Sequence, residues 1–505
     1  MKRTIIGLSV GGGFVIALGA ILGWVVLPHV FESTVKKETL IVEGSTLYPI
    51  WEEAPIPINM KFWIFNILNQ DEVLQGKKPI LEEIGPFAYR EMRKKFNIQK
   101  FDNEDLIRYK ELKTFFYEPS LSNGNTEEQK VTTINLIYVS IAKIIEDALA
   151  NTNEYIVNSV WNFLNSRFES IGEGLLMERT VAELLYNGWD ISPYLKIIQD
   201  LCSQQFISTL CNSLGAGDIL EELGKNPYFG LFSRNNNSDE GEFAVGTGYS
   251  NYMYTGKIMS WKEDYLLPYW DRPWDEGNYC NMINGTDGTR FHPFIEEHER
   301  IYIYQADLCR SVFLEYERDT TYKGINVKRF VLSPNVGESA LIYPENICFC
   351  SNISDTSTCL QAPATPVDRC QYGAPIVGST AHFFDGDGYY LGLLEGLSTP
   401  NISHQTYAEI EPITGAPFSA AKRAQVNIDL QAYGRLQQLQ NISSKIIFPM
   451  LWFEEGADLP DEIIEAYRKE VLVPLQAIEG VRWALVSLGI LLVLAAIFIF
   501  IFKRN

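Results

Sequence analysis

Two uncharged apolar runs, Ile5–Leu27 and Trp483–Phe502, stand near opposite ends of this 505-residue chain. At ~1.5 Å per helical residue, each is long enough to cross a hydrocarbon core ~30 Å thick. A cleavable signal peptide has an apolar core of only about 7–15 residues and a small-residue cleavage site. The first run is longer, with Trp24 and Pro28-His29 at its far end, and reads as an uncleaved anchor. Two buried core helices are the alternative, and the lengths speak against it. Lys2-Arg3 precede the first run and Lys503-Arg504 follow the second, so the positive-inside rule predicts that both ends are cytosolic. The layout expected is a tail at 1–4, a membrane helix at 5–30, an exoplasmic domain at 31–481, a membrane helix at 483–502 and a tail at 503–505.

The exoplasmic compartment is oxidising, and disulfides persist there. Six of the eight cysteines fall in one stretch, 280–370: Cys280, Cys309, Cys348, Cys350, Cys359 and Cys370. Spacing alone does not choose among their pairings. The net charge is −21, the wrong sign for nucleic acid, whose binding rests on cations neutralising phosphates. N-x-Ser/Thr sequons at Asn236, Asn284, Asn352, Asn401 and Asn441 are expected glycan sites on surface loops.

Along the chain, Gly7/Gly11 and Gly19/Gly23 form small-xxx-small pairs in the first membrane run. That spacing admits a close second helix, either the other span of the same chain or a second copy in a homo-oligomer. Leu40-Ile-Val42, Phe62-Trp-Ile-Phe65 and Phe115-Phe-Tyr117 read as strands. Arg90-Glu-Met-Arg-Lys-Lys95 reads as a solvated strand edge that discourages pairing, or as a contact for anionic headgroups.

From Glu127 to Leu223 the pattern turns helical, with Ile134, Ile137, Ile141, Ile144, Ile145 and Ala148 at helical spacing. Thr180-x-x-Glu183 is a capping box, and Ser192-Pro193 predicts a helix start with Ser as the cap. Gly215 and Gly217 punctuate that helix's end. Cys202 and Cys211 could bond only across a break, because nine residues of straight helix span ~13.5 Å and a disulfide needs Cα atoms within about 7 Å. A boundary is expected near Gln204–Ser208. Short strands return from Phe243 to Phe453, and Asp385-Gly-Asp-Gly388 reads as a tight turn. Asp461–Ile478 is an amphipathic approach to the second membrane run.

No catalytic spacing is present: no G-x-S-x-G, no H-E-x-x-H, no phosphate-cradling glycine loop. His29, His292, His298, His382 and His404 are scattered. The chain reads as a non-enzyme with no cofactor and no metal site.

Several motifs together resemble the class B scavenger receptor family, over essentially the full length. They are Glu83-Ile-Gly-Pro-Phe87 with Tyr89-Arg-Glu91, Arg179-Thr180 with Glu183-Leu-Leu185, and Pro227-Tyr-Phe-Gly-Leu-Phe232. The later ones are Cys280-Asn-Met-Ile-Asn-Gly-Thr-Asp287, Cys309-Arg-Ser311, Gly373-Ala-Pro375, His382-Phe383, Glu411-Pro-Ile-Thr-Gly415 and Ala421-Lys-Arg423. The resemblance implies an α+β fold, an irregular antiparallel β-barrel with an apical helical bundle at 127–223 and a lipophilic tunnel, flanked by two transmembrane helices. It implies the pairs Cys280–Cys348, Cys309–Cys370 and Cys350–Cys359, and leaves Cys202 and Cys211 outside the pattern. It implies a two-pass membrane glycoprotein receptor that binds lipids (fatty acid, cholesterol or phospholipid) or lipoproteins at its apex and passes lipid to the membrane. A variant is a receptor for a protein ligand, of the lysosomal enzyme-sorting or the pathogen/host kind. Phe163 and Leu164 are candidate apical contacts or, for either one, bundle core. The stretch 165–177, where a family member has a tunnel-entrance lysine, holds Arg167 and no lysine, and Arg167 either takes that role or is an ordinary exposed side chain. The tail Lys503-Arg504-Asn505 lacks an acidic dileucine, so the plasma membrane is expected, with the lysosomal or endosomal membrane as the alternative. Rivals from other classes are a two-pass ligand-gated channel, whose spans should carry polar positions, and a membrane-tethered hydrolase.

Overall fold

The computed structural model describes residues 2–101, 105–205, 207–213, 216–270, 279–386, 388–442 and 444–502. The tail 503–505, Gly215 and Asp387 lie outside the described residues.

Among the described residues one antiparallel sheet dominates. Its main strands are β1 (Ile58–Ile67), β2 (Leu81–Phe101), β3 (Leu106–Tyr117), β4 (Phe243–Gly246), β5 (Ile258–Trp261) and β6 (Ile301–Gln305). They continue with β7 (Arg310–Tyr322), β8 (Ile325–Leu332), β9 (Tyr407–Glu411), β10 (Ala416–Leu430) and β11 (Ile446–Asp458). Hydrogen bonds link them in the order β5-β4-β3-β2-β1-β11-β10-β9-β8-β7-β6. The sheet curls until its two edges nearly meet. The Asn284-Gly-Thr-Asp287 run fills the remaining gap. The Gly285 carbonyl accepts from Ile258 of β5, while Thr286 exchanges both backbone bonds with Tyr302 and Tyr304 of β6. Only glycine fits at position 285. Its φ is +88°, and a Cβ there would lie 2.0 Å from the Tyr302 carbonyl oxygen. The Ser311 hydroxyl, donating to the Met282 carbonyl and accepting from the Asn284 N–H, holds this run against β7.

Phe62–Phe65 and Phe115–Tyr117 are strand, in β1 and β3 as expected. Leu40–Val42 is not. Ile41 is buried and its N–H donates to the Thr247 carbonyl, but the chain turns at Gly44 (φ +93°) before a ladder can form. Arg90–Lys95 is no edge either. β2 lies between β1 and β3, so alternation sends Arg93 and Lys95 inward while Arg90, Met92 and Lys94 face out.

Helices cover one end of the barrel. Asn135 caps Leu136–Leu149 by accepting from the Tyr138 N–H, and Asn153 caps Glu154–Ile171 by accepting from that of Tyr155. Gly172, at φ +68°, ends the second of these. The first is more apolar than its expected face. Ile137, Ile141 and Ile144 are only half-buried, Ile134 belongs to a strand, and Tyr138, Val139, Ala142, Ile145 and Leu149 make the buried face. Thr180 and Glu183 form the reciprocal cap, each side chain accepting from the other's N–H. At Ser192–Cys202 the cap is not Ser192. That residue is already helical, and the Asp190 carboxylate accepts its N–H. The chain breaks between Cys202 and the next helix, Ser208–Ser213, which brings the Cys202 and Cys211 Cα atoms within 5.7 Å in a disulfide. Bundle and barrel share one core, in which Trp161, Leu164 and Phe168 join Phe62, Phe65 and Phe448.

Two helices, Arg3–Glu38 and Asp461–Phe502, are long and apolar enough to cross a membrane. They pack on each other. A Cβ at Gly12 would lie 2.8 Å from the Gly489 carbonyl oxygen, and one at Gly19 2.8 Å from Leu485 Cβ. Gly23 abuts Arg482. Gly7 and Gly11 face open space. The close intrachain contact therefore uses Gly12, Gly19 and Gly23, not the Gly7/Gly11 pair.

Candidate functional site

Alternation along the strands gives the barrel an inner face, and that face encloses a cavity of about 620 Å³. This lies within the ~300–1,000 Å³ usual for ligand pockets. At one end the wall is Ile50, Trp51, Ala54, Leu459 and Ile463, next to the roots of both terminal helices. At the other it is Leu231, Phe232, Arg234 and Asn235, just after the apical helices, with Val367, Ile376 and Val377. Small residues on β9 to β11, Ala408, Ala420, Ala424, Gly456 and Ala457, line the passage between. Their short side chains leave the interior unfilled.

The wall is not uniformly apolar. A belt of paired charges crosses it. Arg93 meets Glu91 at 2.7 Å and also pairs with Glu455, which in turn pairs with Lys422. Lys95 meets Glu111 at 2.7 Å, and Lys113 pairs with Glu240. Burial pushes the Glu111 carboxyl up, but Lys95, Arg93 and Lys113 outweigh it and hold it down at about 2. Burial acts on Glu455 in the same sense, and Lys422 and Arg93 hold that carboxyl well below the usual range. The belt is therefore ionised and internally compensated. An unpaired charge in such a place would be costly.

The disulfides lie outside this wall. Cys280–Cys348, Cys309–Cys370 and Cys350–Cys359 are joined, with Cα separations of 6.3, 6.4 and 4.3 Å. Cys280 and Cys348 pack with Trp270 and Phe349 in a separate small core. Among the sequons, Asn352, Asn401 and Asn441 are exposed, whereas Asn236 and Asn284 are half-buried. Asn284 sits in the barrel seam. The Asn236 Oδ1 accepts from the Phe115 N–H on β3. Asp385 lies in the expected turn with φ +64°.

The apical candidates do not stay together. Leu164 is fully buried in the bundle core, because it projects from the face of its helix that carries Val160, Trp161 and Phe168. It cannot touch a ligand at the surface. Phe163 is half-buried, and the Arg167 guanidinium lies 5.2 Å from its ring centroid and 3.7 Å from Asp200. The interior charges were missed from sequence. Their one local signal is the run Arg90–Lys95, which holds Glu91 as well; Glu111 and Lys113 lie on β3, Lys422 on β10, Glu455 on β11 and Glu240 just before β4.

The sequence model described as the CD36 family matches residues 10–500. Over 488 residues the chain is 28% identical to scavenger receptor class B member 1 of Bos taurus, covering 96% of this chain and 88% of the relative. It is 28% identical to sensory neuron membrane protein 1 of Manduca sexta, covering 98% and 91%. It is 27% identical to lysosome membrane protein 2 of Rattus norvegicus, covering 91% and 87%. With a match that spans nearly every residue and a barrel nearly closed around a cavity, the chain belongs to the CD36 family.

Proposed function

We propose that this protein is a two-pass membrane receptor that takes lipid at its helical apex and passes it through the barrel to the bilayer. The carrying observation is the cavity's extent, from below the apical helices to the roots of both terminal helices. The physical role is clear. Each methylene moved into water costs ~0.8 kcal/mol, so a sixteen-carbon chain faces a barrier of roughly 12 kcal/mol. An enclosed wall that is mostly apolar, with its charges paired, lowers that barrier without bond chemistry. The reading is of a receptor, not an enzyme. Its ends are taken as cytosolic and its bulk as exoplasmic and glycosylated. Phe163 and Arg167 are the proposed apical contacts.

Ala424 lines the middle of the passage, and Ala424→Trp would plug it. Vesicle-reconstituted wild-type protein is expected to move labelled lipid from an added lipoprotein into the bilayer. The variant should still bind the lipoprotein and lose at least ~90% of the transfer rate, since a plugged path restores the aqueous barrier. Equal transfer by both proteins would rule out the conduit.

A further inference from the structure

Most cations that line the cavity have a carboxylate. Arg93, Lys95, Arg234, Lys422 and Arg423 each form an ion pair. Arg310 does not. It opens β7, and it lines the cavity together with Val312 and Leu314, the residues of the same strand parity. The residue is 3% exposed. Its guanidinium carbon lies 3.7 Å from the Phe349 ring centroid. Its Nε has no acceptor, and among the described residues no carboxylate stands within ion-pair distance. Burial pushes the guanidinium down to about 10, which leaves it charged at neutral pH.

A buried cation without a counter-charge is expensive, and a native structure that keeps one needs a reason. The Phe349 face, through its quadrupole, and the neighbouring Tyr279 hydroxyl relieve part of that cost, but neither carries a negative charge. An incoming anion would supply one. We propose that Arg310 is an anchor for the carboxylate or phosphate head of an amphiphile whose tail lies along the cavity's apolar wall. The assignment rests on the lipid reading above and deepens it. The head sits at the Arg310 end, beside Leu308 and Val336, and the wall running towards Leu459 receives the tail. A planar guanidinium with several N–H donors suits either anionic head. Asp307, three residues earlier, also lines the cavity and forms no ion pair with Arg310. The site therefore keeps its positive charge.

The test uses full-length protein in nanodiscs with three labelled probes of equal chain length: palmitate, lysophosphatidate and hexadecanol. Loss of one charge-assisted contact predicts that Arg310→Gln weakens binding of an anionic probe by ~10-fold or more. Hexadecanol should bind as it does to the wild type, and Arg310→Lys should recover part of the loss. Weakening of palmitate alone identifies a fatty carboxylate, and weakening of lysophosphatidate alone identifies a lipid phosphate. Should Arg310→Gln fail to fold, the wild type itself is titrated. Its preference for palmitate over hexadecanol should then vanish as the palmitate head protonates. Equal loss of all three probes, unchanged binding of all three, or a palmitate preference that survives acid would overturn the anchor. Wild-type protein that binds none of the probes would sink the lipid reading, and the anchor with it.

Discussion

His404 lies face to face with His382, the ring centroids 4.2 Å apart and the planes 5° from parallel. Its Nδ1 accepts from the Asn401 N–H, a bond that only the neutral ring can make in this geometry. Burial, and then the neighbouring His382 ring, push its pKa down to about 4, against the opposing pull of Glu83. The unfolded chain thus binds more protons than the folded one between about pH 6.5 and 4. The contribution of His404 is fully present above pH 6.5 and is lost as pH falls through that window. The expected size is on the order of 2 kcal/mol. Thermal unfolding measured from pH 7 to 4 should show a steeper fall in Tm for the wild type than for His404→Gln, which keeps an acceptor and cannot charge. At this scale the sequence was only partly legible. Helical spacing marked Phe163 and Leu164 as apolar neighbours, but it carries no sign of which faces the bundle. One residue of rotation separates a half-buried ring from a fully buried side chain.

Elements were more legible than their neighbours. The capping box at Thr180, the break after Cys202 and the strands around Phe62 and Phe115 follow from local chemistry, and the structure carries them. The basic run on β2 shows where local reading stops. Its cations look solvated until Glu455, 362 residues from Arg93, arrives opposite. Nothing near Arg93 in sequence announces a partner on the last strand. The barrel seam is also an element-scale device, with one glycine between two edges. Gly285→Ala should destabilise the fold by more than ~4 kcal/mol, through a backbone clash and a strained φ together. Protease sensitivity of the seam in purified protein would measure it. Gly288→Ala is the matched control. It shares a positive φ, and its nearest neighbour is an ordinary 3.6 Å from the added carbon, so a loss of only ~1 kcal/mol is expected.

For the molecule as a whole, the two terminal helices act as one stem. Gly12 and Gly489 let the backbones touch, and Trp24 meets Trp483 edge to face at 5.8 Å. Gly12→Leu should force the helices apart. Cysteines introduced at Trp24 and Trp483, whose rings meet across the stem, should be joined readily by a short thiol cross-linker in an otherwise unaltered stem and poorly beside Gly12→Leu.

The pairing of β1 with β11 sets a timetable for synthesis. Lys61 stands opposite Glu454, so the first barrel strand made waits for the last one before its outer edge is covered. Nearly the entire chain must leave the ribosome before the wall can be completed. Until then β1 and β10 each present a bare row of N–H and C=O groups, the kind of edge that invites pairing with another chain. Any premature stop between Leu430 and Ile446 is therefore expected to yield a chaperone-bound, aggregating product, not a shortened receptor.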